Sequence, residues 1–201
     1  MQVINKDDLY SLANVIIDLD CNDLDYYYER YPSAIVDLFD NQLSLNEYKR
    51  ESIGDFENFN LKHEEKYLNF IKELYTLSIE EPVIIEVKFT DLSNVHILRI
   101  LDTLDYKEKL LFVELIKDKM IKDDLFLIYD EEILKLFIKL STRELVFSNF
   151  YFTKLGITLC GADDLNFPIF FSNKSEQMNC SKIANKYSLF LKRPITSEKT
   201  F

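Results

Sequence analysis

Residues 145–171 read LVFSNFYFTKLGITLCGADDLNFPIFF. Aromatic and β-branched side chains crowd this stretch, among them Val146, Phe147, Phe150, Tyr151, Phe152, Ile157, Thr158, Phe167, Ile169, Phe170 and Phe171. Such side chains fit a pleated, half-buried surface. Gly156 and Gly161 punctuate the run where turns would fall. The stretch therefore predicts two or three strands. Upstream, Pro82 marks a change of period: Ile85, Val87 and Phe89 alternate with Glu86 and Lys88, which predicts a strand over Val83 to Phe89. Leu125 to Tyr129, a short apolar run, predicts another.

Helical spacing governs most of the rest. Leu9, Leu12, Ala13, Ile16 and Ile17 predict a helix over residues 7–18, capped by Asn5 or Asp7. Tyr26 to Tyr31 begins a further helix. Pro32 suits a first turn or a break, and Ala34, Ile35, Leu38 and Phe39 form an apolar stripe behind it. Residues 40–60, rich in Asn, read as loop. Tyr67, Leu68, Ile71, Leu74, Tyr75 and Ser78 line one face of a helix over residues 61–79, which Glu80, Glu81 and Pro82 end. Asp91 to Leu101 fits helix and strand equally. Asp105 with Glu108 makes a capping box for a helix over Lys107 to Met120. Glu131 to Glu144 carries Ile133, Leu136, Phe137 and Leu140 at helical spacing, residues 175–191 read as a closing helix, and Pro194 to Phe201 as a loose tail. Helices first and strands later give an α+β class, with N-terminal helices packed on a C-terminal, aromatic-rich antiparallel sheet, in one domain over residues 1–201.

Composition narrows the chemistry. The 201 residues carry 24 Lys+Arg against 35 Asp+Glu, a formal net charge of -11. Residues 1–60 hold 13 acidic and 4 basic side chains, whereas residues 151–201 hold 4 acidic and 7 basic. A surface this negative repels nucleic acid and anionic membrane and attracts a basic partner; solubility is the alternative explanation. With only three glycines, where average usage gives roughly 14, a glycine-rich phosphate loop is not expected. Cys21, Cys160 and Cys180 make neither a disulfide framework nor a zinc pattern and read as reduced thiols of a cytoplasmic protein. No basic region leads into an apolar stretch at the N-terminus, no window reaches the length of a membrane span, and the sequons at Asn173 and Asn179 read as chance.

The sharpest local pattern is Asp18, Asp20 and Asn22 with Glu29 at the twelfth position, the ligand spacing of a calcium-binding EF-hand loop. Asp23 stands where that loop needs Gly for its sharp turn, Asp25 stands at a usually apolar position, and no second loop follows. An acidic turn is the simpler reading, so no metal and no cofactor are expected. His63 and His96 are the only histidines; His63-Glu64-Glu65 lacks the second His of a zinc-protease helix. No Ser stands in a nucleophile elbow, and no acid/base pair of carboxylates singles itself out. Lys192-Arg193 and its neighbours are too few for a nucleic-acid footprint. The run Tyr26-Tyr27-Tyr28-Glu29, beside Asp18, Asp20, Asp23 and Asp25, combines rings with acid and could anchor a basic partner.

Two stretches carry a resemblance. Ser141 to Phe152 (STRELVFSNFYF) and Gly161 to Phe171 (GADDLNFPIFF) resemble parts of bacterial immunity proteins from polymorphic-toxin systems. The resemblance covers the C-terminal segment and transfers no binding residues. It implies a small cytoplasmic protein that binds and neutralises a cognate toxin. With the acidic charge and the absence of catalytic motifs, it gives a non-enzymatic inhibitor of a basic toxin, such as a nuclease, by stoichiometric occlusion. An interaction or scaffold protein of a virus or mobile element is the alternative.

Overall fold

A computed structural model of the chain describes residues 2–4, 24–41, 56–87, 89, 92–117 and 125–194. The helix expected over residues 7–18, Asp18, Asp20, Cys21, Asn22, Asp23, and the tail from residue 195 lie outside these residues.

The aromatic-rich stretch forms three strands, β5 (Ser148–Phe152), β6 (Ile157–Cys160) and β7 (Phe167–Phe171), joined as an antiparallel meander. The β5–β6 connection is a 3-10 turn, Thr153–Leu155, closed by Gly156 at φ 59°. A Cβ there would stand 2.3 Å from Ser172 Oγ, so both backbone and space demand glycine. β3 (Val83–Val87) pairs with β5 on one side and with β4 (Leu125–Ile128) on the other. The class is α+β, and the sheet also gathers strands from both ends of the chain. β1 (Gln2–Val3) adds to β4, while β2 (Ser33–Asp37) lies between β7 and β8 (Phe190–Lys192). The result is an antiparallel sheet in the order β1-β4-β3-β5-β6-β7-β2-β8.

Several boundaries differ from expectation. Of the stripe after Pro32, Ala34 and Ile35 belong to strand β2 rather than to a helix, and Leu38 and Phe39 follow the strand; Ala34 and Val36 are buried on one face while Ile35 is half-buried on the other. With apolar side chains on both faces, a strand loses its alternation and mimics a helical stripe. The helix α1 (Leu24–Arg30) ends before Pro32, which acts as the break. Helix α2 (Phe56–Leu77) starts inside the segment read as loop. The ambiguous segment is helical, α3 (Asn94–Thr103), with Ser93 as N-cap accepting from the His96 N–H. Helix α4 (Tyr106–Lys117) has the expected capping box: the Glu108 N–H donates to Asp105 Oδ1 at 2.9 Å, and the Asp105 N–H to Glu108 Oε2 at 3.0 Å. Helix α5 (Glu131–Thr142) is capped by Asp130, and α6 (Lys174–Lys186) by Asn173. The closing helix ends at Lys186, and the chain continues into β8 rather than remaining helical to residue 191.

One face of the sheet carries the main core. Phe150, Phe152, Phe167 and Phe171 point from the strands toward Tyr67, Phe70, Ile71 and Leu74 of α2 and toward α5, whose Leu134, Leu136, Phe137, Ile138 and Leu140 are all fully buried. Each such side chain contributes about 1.5–3 kcal/mol relative to leaving it in water. The other face holds a smaller cluster, in which Ile4, Ile84, Tyr151, Cys160 and Phe170 meet Tyr27 of α1. Among the described residues no helix is long and apolar enough to cross a membrane.

Candidate functional site

Helix α1 divides the expected aromatic anchor by face. Tyr27 is 1% exposed and meets Phe170 edge-on at 5.8 Å between ring centroids. Tyr28 lies half-buried against the same Phe170 at 5.2 Å. Burial, with smaller contributions from Cys160 and Asp25, pushes the Tyr28 hydroxyl up to about 12. Tyr26 is the exposed ring of the three, and the Arg30 guanidinium sits 3.4 Å above its centroid. Asp25 and Glu29 are exposed on the same short helix. The structure thus brings Asp25, Tyr26, Tyr27, Tyr28 and Glu29 together on one docked helix, while Asp18, Asp20 and Asp23 fall outside the described residues. Among the described residues no group of three or more His, Cys, Asp or Glu side chains could hold a metal ion.

Cys160, Cys180 and the histidines lie elsewhere in the fold. Cys160 and Cys180 are buried, and desolvation pushes both thiols up to about 12, so they stay protonated and unreactive at neutral pH. Beside Cys160, Glu86 Oε2 accepts from Tyr151 Oη at 2.7 Å and Asn149 Nδ2 at 2.8 Å, a polar cross-link of β3 to β5. His63 meets the Phe59 ring edge-on at 4.9 Å within α2, and His96 is exposed on α3.

A second region was not singled out by residue patterns. A cavity of about 290 Å³ opens between the start of α2, the end of α3 and the turn after α5. Its frame is an ion pair between buried Glu64 and half-buried Arg143. Arg143 Nε and Nη2 donate to Glu64 Oε2 and Oε1 at 2.7 and 2.8 Å, Nη1 donates to the Thr103 carbonyl at 2.7 Å, and Thr142 Oγ1 donates to Glu64 at 3.2 Å. Burial opposes the Arg143 charge, but Glu64 holds the guanidinium above its usual range. Beside this pair stands Glu144 at φ 54°, a left-handed conformation that disfavours side chains. The conformation follows from how α5 ends. The Leu145 N–H bonds the Leu140 carbonyl at 2.9 Å and the Glu144 N–H bonds Ser141 at 3.1 Å, the paired bonds of a Schellman stop, with Glu144 at the site where glycine is usual.

Glu144 Oε1 accepts from the Asp164 N–H at 2.7 Å and from Asn60 Nδ2 at 3.5 Å. It thereby ties the start of α2 to the Asp163–Leu165 turn, in which Asp164 and Leu165 are themselves left-handed. Burial, then the neighbouring Asp163 and Asp164, raises the Glu144 carboxyl above its ordinary value. Asn60 is 2% exposed, and its Oδ1 has no hydrogen-bond partner among the described residues. One signal for this region was present in the sequence: Glu64 falls on the same helical face as Tyr67, Ile71 and Leu74, where a carboxylate must find a partner.

Comparison with known proteins adds no relative: no family model, no curated protein and no solved structure matches the chain.

Proposed function

We propose that the protein is a non-enzymatic, cytoplasmic binding module that neutralises a basic toxin, such as a nuclease, by stoichiometric occlusion. The observation that carries this reading is the build of α1. Tyr27 and Tyr28 fasten the helix to the sheet, so Tyr26, Asp25 and Glu29 are presented on a preformed surface. Preorganised aromatic anchors lose little conformational freedom on binding. Surrounding acid accelerates encounter with a basic partner, and the desolvated ring slows its departure. The net charge of -11 acts in the same direction.

The test is co-purification from native cells at low salt, followed by titration of the captured protein's own activity with this chain. Complete inhibition at one equivalent of a basic partner supports the reading. An acidic partner, or a partner whose activity is untouched, overturns it. With the pair in hand, Tyr26→Ala should speed dissociation by about 30-fold, equivalent to about 2 kcal/mol at a hot spot. Asp25→Asn with Glu29→Gln should slow association and flatten its salt dependence. Unchanged rates in both variants would move the interface elsewhere.

The scaffold alternative draws on a different feature. Val95 and Leu98 of α3, and Tyr106, Leu110 and Val113 of α4, are exposed apolar side chains. Tyr106, Leu110 and Val113 recur at helical spacing on one face, and contiguous apolar surface of this kind marks interaction sites.

A further inference from the structure

The cavity borders a carboxylate, Glu144, that the fold engages through one oxygen only. Arg143, in its frame, is already offset by Glu64 and anchored to the Thr103 carbonyl. Glu144 has no such partner: it forms no salt bridge among the described residues, and its Oε2 accepts no hydrogen bond among them. The acidic Asp163 and Asp164 stand nearby instead. Like-charge repulsion therefore falls on a side chain at the edge of an open space, held there by the left-handed turn that stops α5. The apolar lining beside this carboxylate comes from Leu61, exposed at the start of α2, and Leu145, which follows Glu144.

We propose that this cavity is a socket for a basic side chain of the partner, a lysine or arginine. Its methylene stem lies against Leu61 and Leu145, and its charged head reaches Glu144 Oε2. The stem needs apolar walls and the head needs an uncompensated acceptor, and the cavity offers both. Arg99, exposed on α3, also lines the opening. The apolar walls favour a side chain with a methylene stem over a bare cation. The proposal rests on the basic-partner reading above and deepens it by naming where the partner inserts.

The test needs no toxin. Methyl NMR spectra of the full chain are recorded during titration with N-acetyl-lysine methylamide and N-acetyl-arginine methylamide. N-acetyl-norleucine methylamide keeps a stem without the charge, and N-acetyl-glutamate methylamide reverses it. Saturable shifts at the Leu61 and Leu145 methyls, in the millimolar range usual for fragments, are expected with the basic probes. Norleucine should bind about fivefold more weakly, the factor an ion pair at a partly exposed carboxylate supplies. Glu144→Gln, which keeps an acceptor for the Asp164 N–H, should erase that preference, and Leu61→Ala should weaken both kinds of probe. Equal binding of norleucine and lysine, preference for the glutamate probe, or no saturable shift would each overturn the socket. Because the unliganded protein is probed, the socket can fail while a basic partner stands. An acidic partner would defeat the wider reading without altering the spectra.

Discussion

Helices α5 and α6 end in the same way and differ in what they place at the turn. At α5 the left-handed residue is Glu144 at φ 54°; at α6 it is Ser188 at φ 56°. Both stops carry the same pair of bonds, Leu145 to Leu140 with Glu144 to Ser141, and Leu189 to Ala184 with Ser188 to Asn185. In each, a buried or half-buried leucine follows and packs under the helix end. Neither turn uses glycine, as a chain with three glycines would lead one to expect. Ser188 is exposed, and the hydrogen bond at that residue, from Lys66 Nζ, goes to its main-chain carbonyl rather than to its side chain. Glu144 instead reaches two other segments and borders a cavity. The comparison separates strain that is merely tolerated from strain tied to a side chain with further contacts.

The largest effect is expected at the frame that supports the first turn. Arg143→Ala leaves Glu64 buried and uncompensated, and should destabilise the fold by about 3–5 kcal/mol in chemical denaturation. Replacing Glu64 and Arg143 together with Leu and Met should cost markedly less, since no orphan charge remains. If the single variant lost under ~1 kcal/mol, the scale of a surface pair, the ion pair would not be what frames the cavity.

Next comes the glycine exchange, which should have opposite signs at the two turns. Ser188→Gly relieves the left-handed penalty and should stabilise by about 0.5–1 kcal/mol after the greater freedom of the unfolded chain is counted. Glu144→Gly gains the same relief but loses the charged acceptor for the Asp164 N–H, a bond of the class worth about 1.5–3 kcal/mol. It should therefore destabilise by about 1 kcal/mol. Two variants shifting stability in the same direction would erase the distinction between the turns.

The smallest effect concerns pH. The folded-state carboxyl of Glu144 is raised above its ordinary 4.5, so the folded protein holds that proton more tightly than the unfolded chain. The contribution favours folding below pH 4.5 and is lost as pH rises through the raised value. Glu144→Gln should accordingly be slightly more stable than wild type at pH 7. The gap should close on acidification below 4.5. Thermal melts of both proteins across that window measure it; a gap that widens in acid would have the wrong sign.

β3 was legible in the residue pattern because Ile85 and Val87 face the main core while Glu86 marks the other side, which it shares with buried Ile84. The β5–β7 meander was legible from its rings and from Gly156, and α4 from its capping box. β2 escaped because Ala34 and Ile35 cover opposite faces, and β8 because Ser188, not glycine, ends the helix before it. α3 was ambiguous because Val95 and Leu98 are apolar yet exposed. Of the sites, the aromatic segment was legible as composition, but which tyrosine faces solvent depends on Phe170, far along the chain. The Glu64–Arg143 pair joins residues 79 apart, and no local pattern announces a left-handed Glu144.

The carboxyl titration of Glu144 in the free protein, followed by 13C NMR, measures most directly whether this side chain stands uncompensated. The expected midpoint lies above 4.5 and falls when N-acetyl-lysine methylamide is added. A midpoint at or below 4.5 in the free protein would mean that the charge is already satisfied within the fold, and would contradict the account.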